Sequence, residues 1–113
     1  MLGLAGQHVA EHELVRRGYE IVARNVRTRY GEIDLICRNR RGFLFVEVKT
    51  RRAGSFVSAV EAVDGRKAAR LESLAQSWLA SCGQRDAGWR IVVAALTVGT
   101  AGTRVELLDL ERR

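Results

Sequence analysis

The sequence predicts an α/β fold: a mixed β-sheet flanked by α-helices, in the order α-β-β-β-α-β-β. Three observations carry it. Two stretches repeat apolar residues at helical spacing, and five shorter ones are apolar or alternating with β-branched residues. No proline, internal repeat or low-complexity linker divides the 113 residues, so 1–113 reads as a single domain with one core.

The first helix runs from about Leu4 to Arg17. Gln7, Ala10 and Leu14 share one face at i, i+3, i+7, and Gly18 is a natural stop. Tyr19 to Arg27 follows as a strand with Tyr19, Ile21 and Ala23 on one side. Gly31–Arg38 and Phe43–Thr50 are two more strands, separated by the polar turn Asn39-Arg40-Arg41-Gly42. The second helix starts with Asp64 as N-cap and reaches about Cys82, with a stripe of Leu71, Leu74, Ala75, Trp78 and Leu79 before Gly83. Ile91–Val98 is almost continuously apolar, as a strand covered on both faces should be. Arg104–Leu110 is weaker and belongs at an edge. Trp78 and Trp89 are expected in the core, and Cys37 and Cys82 as buried or half-buried free thiols.

Composition narrows the function. The chain is 47% hydrophobic and 28% charged, ordinary for a globular protein, and no apolar run approaches the roughly 20 residues of a bilayer crossing. The short apolar opening Met1–Gly6 lacks the basic lead-in of a signal peptide, so the expected compartment is the cytoplasm. The net charge of +6 points to a polyanionic partner. Its distribution sharpens this. Arg24, Arg27, Arg29, Arg38, Arg40, Arg41, Lys49, Arg51 and Arg52 surround only Glu32, Asp34 and Glu47. With no basic amphipathic helix beside it, such a field suits DNA better than a membrane.

Those three carboxylates carry the chemistry. Strand period two places Glu32 and Asp34 on one face, and Glu47 and Lys49 on one face of the next strand. If residues 39–42 form a four-residue hairpin loop, Arg38 pairs with Phe43, Ile36 with Phe45, Asp34 with Glu47 and Glu32 with Lys49. Facing carboxylates repel, and a cation between them relieves the repulsion. Mg²⁺ or Mn²⁺ suits carboxylate and water ligands. Lys49 beside it could orient or deprotonate a water, or stabilise charge on a phosphate. The same pattern also suits an exposed strand face with cross-strand ion pairs.

Gly31-Glu32-Ile33-Asp34-Leu35-Ile36, Phe45-Val46-Glu47-Val48-Lys49-Thr50-Arg51 and Ala62-Val63-Asp64 with Lys67, Arg70 and Leu71 together resemble the YraN family of uncharacterised bacterial proteins. That family is similar to archaeal Holliday junction resolvases within the PD-(D/E)xK nucleases. The resemblance runs from near Gly6 to about Ala94. It implies a restriction-endonuclease-like core, Asp34 and Glu47 as metal ligands and Lys49 as the catalytic lysine. The implied activity is metal-dependent hydrolysis of DNA phosphodiesters, in the resolvase version on branched DNA by a homodimer. Arg24, Arg27, Arg29, Arg51, Arg52 and Lys67 are then the expected phosphate contacts.

Two positions depart from the family pattern. Gly6-Gln7 stands where the family usually has Gly-Glu, and Trp89-Arg90-Ile91 where it has Arg-Phe-Asp. Glu11, one turn on, is the candidate substitute for the missing glutamate, and Gln7→Glu is expected to strengthen hold on a metal. Both departures lower the expected activity, so a non-catalytic DNA-binding module on the same fold is the alternative. His8-Val9-Ala10-Glu11-His12 matches a zinc-peptidase string, but a solvated helix face accounts for it in so short a chain.

Overall fold

The computed structural model describes residues 2–54 and 65–110. Five strands lie side by side in chain order: β1 (Glu20–Thr28), β2 (Gly31–Asn39), β3 (Gly42–Arg52), β4 (Trp89–Gly99) and β5 (Gly102–Asp109). All neighbours are antiparallel except β3 and β4, which run parallel from Phe43↔Trp89 to Arg52↔Val98. A parallel pair needs a crossover, and helix α2 (Gly65–Ser81) lies within it. Helix α1 (Leu2–Arg16) precedes the sheet. The result is the predicted mixed sheet with its helices in the predicted order.

Each helix covers its own face. Ala10 and Leu14 of α1 pack on Leu35, Cys37, Leu44, Val46, Val92, Ala94 and Leu96. On the other face Leu71, Leu74, Ala75 and Leu79 of α2 pack on Ile36, Phe43, Phe45, Ile91, Val93 and Ala95. Double coverage explains the unbroken burial from Phe43 to Glu47 and from Ile91 to Leu96. Trp78 meets Phe43 and Phe45 edge-on at 5.5 and 5.9 Å, and Trp89 meets Phe45 at 6.1 Å. Both indoles are therefore core contacts, each partly buried. β4 is interior, between β3 and β5, and β5 is the expected edge.

Local signals end the elements where expected. Gly18 takes φ 95°, and Tyr19 N–H donates to the Leu14 carbonyl at 3.0 Å, closing α1. Gly42 has φ 129°, and the Gly88 carbonyl fills the space a Cβ would need. The hairpin register is the predicted one, with Arg38↔Phe43 and Ile36↔Phe45 paired.

Three expectations fail. A register shift between Ile21 and Ala23 turns Ala23 toward the α2 face, so it does not share a side with Tyr19 and Ile21. Cys37 is buried, but Cys82 lies just past the end of α2 and is exposed. Alternation also breaks in β2: Ile33 packs toward α2, whereas Leu35, two residues on, packs toward α1. The Asp64 cap lies outside the described residues. Among the described residues no helix is long and apolar enough to cross a membrane.

Candidate active site

The break in β2 falls on Asp34. Pairing with β3 ends at Leu35↔Val46, so Asp34 does not continue the ladder opposite Glu47. Its carboxylate takes over instead: Oδ2 accepts the Val48 N–H at 2.8 Å. On the other side, Asn25 and Asp34 are skipped between the pairs Arg24↔Leu35 and Val26↔Ile33, and Asn25 adopts φ 50°. Where the strand bonds lapse, side chains fill in.

β3 stays straight through this region because β4 holds it, with Glu47↔Val93 and Lys49↔Ala95 paired. Glu47 follows Phe43 and Phe45 on the α2 face and is buried at 7% exposure. Such a carboxylate needs partners. Its Oε1 is 3.3 Å from Lys49 Nζ and 2.7 Å from Lys67 Nζ on α2. A recess of about 210 Å³ results, lined by Glu32, Asp34, Glu47, Lys67 and Arg70 over the apolar floor of Leu71 and Leu74.

Electrostatics in the recess are strained. Burial raises the pKa of Asp34, and the charges of Glu47 and Glu32 add to this, against the Val48 N–H and Lys49. Burial alone would lower that of Lys67, but the bond to Glu47 and the charges of Glu47 and Asp34 raise it.

The remaining candidates divide. Gln7 is buried on α1, where its amide exchanges two bonds with Asn25, at 3.0 and 3.1 Å. Asn25 also donates to Glu32 at 3.3 Å, so Gln7 reaches the rim of the recess only through Asn25. Glu32 lies 3.6 Å from Arg27 and does not answer Lys49 as the hairpin geometry predicted. Glu11 holds Arg24 at 2.9 Å; neither residue lines the recess. Arg29 stacks over Tyr30 at 5.3 Å. Arg51 bonds Thr97 at 3.4 Å, and Arg52 is exposed at the end of β3. His8 and His12 are both exposed on α1.

Two contributors carry no expected role from the sequence, although Arg70 stands within the family motif. Arg70 lies three residues after Lys67 and one before Leu71, so helical spacing could have placed it at the recess. Asn25 gave no such signal, because a left-handed residue inside a strand has no local pattern.

Comparison with known proteins fits the motifs. A profile described as uncharacterised protein family UPF0102 matches residues 6–97. A UPF0102 protein of Corynebacterium efficiens is 42% identical over 102 residues, covering 89% of this chain and 83% of the relative. One of Roseiflexus castenholzii is 40% identical over 107 residues, covering 94% and 86%. Among solved structures, that of Pyrococcus furiosus SfsA in complex with Ca²⁺ aligns with 96% of this chain at 18% identity and a TM-score of 0.44. This chain spans 62% of that one, a likeness too distant to transfer any property. By sequence, the chain belongs to the UPF0102 family, the one its strand motifs resemble under the name YraN.

Proposed function

We propose that this protein is a metal-dependent endodeoxyribonuclease that hydrolyses DNA phosphodiesters, with Asp34, Glu47 and Lys49 as its catalytic set. The observation that supports it is the meeting of Asp34 and Glu47 at one recess where β2 leaves β3, with two lysines on the Glu47 carboxylate.

The donor set fits a hard divalent ion. Asp34 and Glu47 would hold Mg²⁺ or Mn²⁺, which commonly takes one or two carboxylates and fills the rest with water and substrate phosphate. Bound there, the ion would supply charge for water activation and for the phosphorane-like charge build-up. The chain's own groups do the positioning. The Val48 N–H fixes one Asp34 oxygen, and Lys49 Nζ stands beside Glu47 to donate to a phosphoryl oxygen. Arg27, Arg29, Arg51, Arg52 and Arg70 would track the backbone. Arg24 is a weaker candidate, since Glu11 already balances it.

The alternative is a DNA-binding module without catalysis. It is favoured by the Gln7–Asn25 amide pair, which brings no charge to the rim of the recess. Cleavage of labelled four-way junction, flap, duplex and single-stranded DNA in Mg²⁺ or Mn²⁺, beside Asp34→Ala, decides between them. Cutting that Asp34→Ala abolishes supports the enzyme; binding without cutting on every substrate supports the module. Symmetric junction cutting further requires a homodimer, which light scattering tests. The cytoplasm is the compartment this role calls for.

A further inference from the structure

The recess brings its own cation. Lys67 Nζ lies 2.7 Å from Glu47 Oε1, closer than Lys49 at 3.3 Å, and reaches it from another layer of the fold. Glu47 is almost shielded, with 9% of its side chain exposed, whereas 34% of the Lys67 side chain remains open. Lys67 therefore has a way out that Glu47 does not. Its stem rises from the first turn of α2, beside Arg70 on the wall shared with Asp34.

We propose that Lys67 is a tethered counter-cation: it sits on the Glu47 carboxylate that a divalent ion would use, and withdraws to a phosphate oxygen when that ion binds. This rests on the metal reading above and adds a regulation to it. Glu47, Asp34 and Glu32 put several negative charges around one recess, which Lys67 and Lys49 on Glu47 and Arg27 beside Glu32 partly balance. A divalent ion there balances more charge and repels Lys67. A long, flexible lysine stem suits such a movement, and its head would then meet the DNA backbone at the mouth. Metal and DNA binding would thus be coupled, each favouring the displaced position.

Calorimetric titration of the full chain with Mn²⁺, together with melting in EDTA, tests this on wild type, Lys67→Met, Lys67→Arg and Asp34→Asn. Lys67→Met should bind Mn²⁺ about tenfold more tightly, since the competing charge is gone, and should melt lower in EDTA. Lys67→Arg should stay near wild type. A structural role for Lys67 would lower the melting temperature without tightening Mn²⁺, and that result overturns the proposal, as does Mn²⁺ binding weakened by Lys67→Met. Lys67→Gln, which keeps a donor and loses the charge, gives the same reading should Lys67→Met not fold. Asp34→Asn separates the two ideas. If it abolishes Mn²⁺ binding, the carboxylate site stands whatever Lys67 does. Mn²⁺ binding indifferent to Asp34→Asn removes the site, and the counter-cation with it.

Discussion

The two ends of the β2–β3 pair are built from opposite materials. At the hairpin end, from Leu35↔Val46 to Asn39↔Gly42, backbone pairs with backbone and the buried side chains are Leu35, Ile36, Cys37, Phe43, Leu44, Phe45 and Val46. At the open end the ladder lapses at Asp34, a carboxylate accepts the Val48 N–H, and lysines from β3 and α2 close on Glu47. The closed end has satisfied its polar groups with regular bonds and can spend its side chains on packing. The open end has given up regular bonds, and its charged groups remain available to a ligand. Stability and chemistry are thus divided along one strand pair, within a few residues.

The division predicts opposite responses to mutation. Phe45, at 1% exposure and in edge contact with two indoles, belongs to the closed end. Phe45→Ala should cost about 4 kcal/mol in urea unfolding. A loss below that of a surface substitution would mean the closed end does not hold the fold.

DNA affinity should separate the ends in the other direction. Charge reversal of Arg51 and Arg52, beyond the open end, should reduce the slope of log affinity against log salt by about 2. The same reversal of Arg40 and Arg41 at the hairpin turn should leave the slope unchanged. Equal effects would erase the distinction and leave only a generally basic surface.

Gln7 joins α1 to the rim of the open end through Asn25. Gln7→Glu removes the donor to Asn25 Oδ1, which should cost about 1 kcal/mol in metal-free protein, measured by chemical denaturation. The sequence alone predicts only the gain in metal affinity from the added charge. Finding the gain without the cost would show that the amide pair is not a clasp.

The smallest effect concerns Asp34 and pH. Burial raises its pKa in the folded protein above the unfolded value, so the folded state holds the proton more tightly. Asp34 then favours folding when protonated, and that contribution is lost as pH rises through the raised pKa. Asp34→Asn removes the cost of the buried charge and should raise Tm in EDTA at pH 7 by about 3 °C. The gain should shrink as pH falls through the raised pKa toward the unfolded value. A gain independent of pH would place its origin elsewhere than in the carboxylate.

Much of this was legible in the chain itself because it depends on short-range pattern. Gln7, Ala10 and Leu14 at helical spacing fixed the buried face of α1. A four-residue polar turn ending in Gly42 fixed the hairpin register, and the apolar run Ile91–Val98 announced a strand covered on both sides. Period two placed Lys49 beside Glu47. The tertiary structure alone decided what happens where that period fails: Ala23 turning after the bulge, Asn25 entering the left-handed region, Asp34 leaving the ladder to hold Val48. It alone also brought Lys67 to Glu47 across 20 positions and paired Gln7 with Asn25 across 18. Alternation is a property of each residue's immediate neighbours and can be read along the chain. A bulge, or an ion pair between layers, is settled by which distant groups must be satisfied once the helices have closed over the sheet.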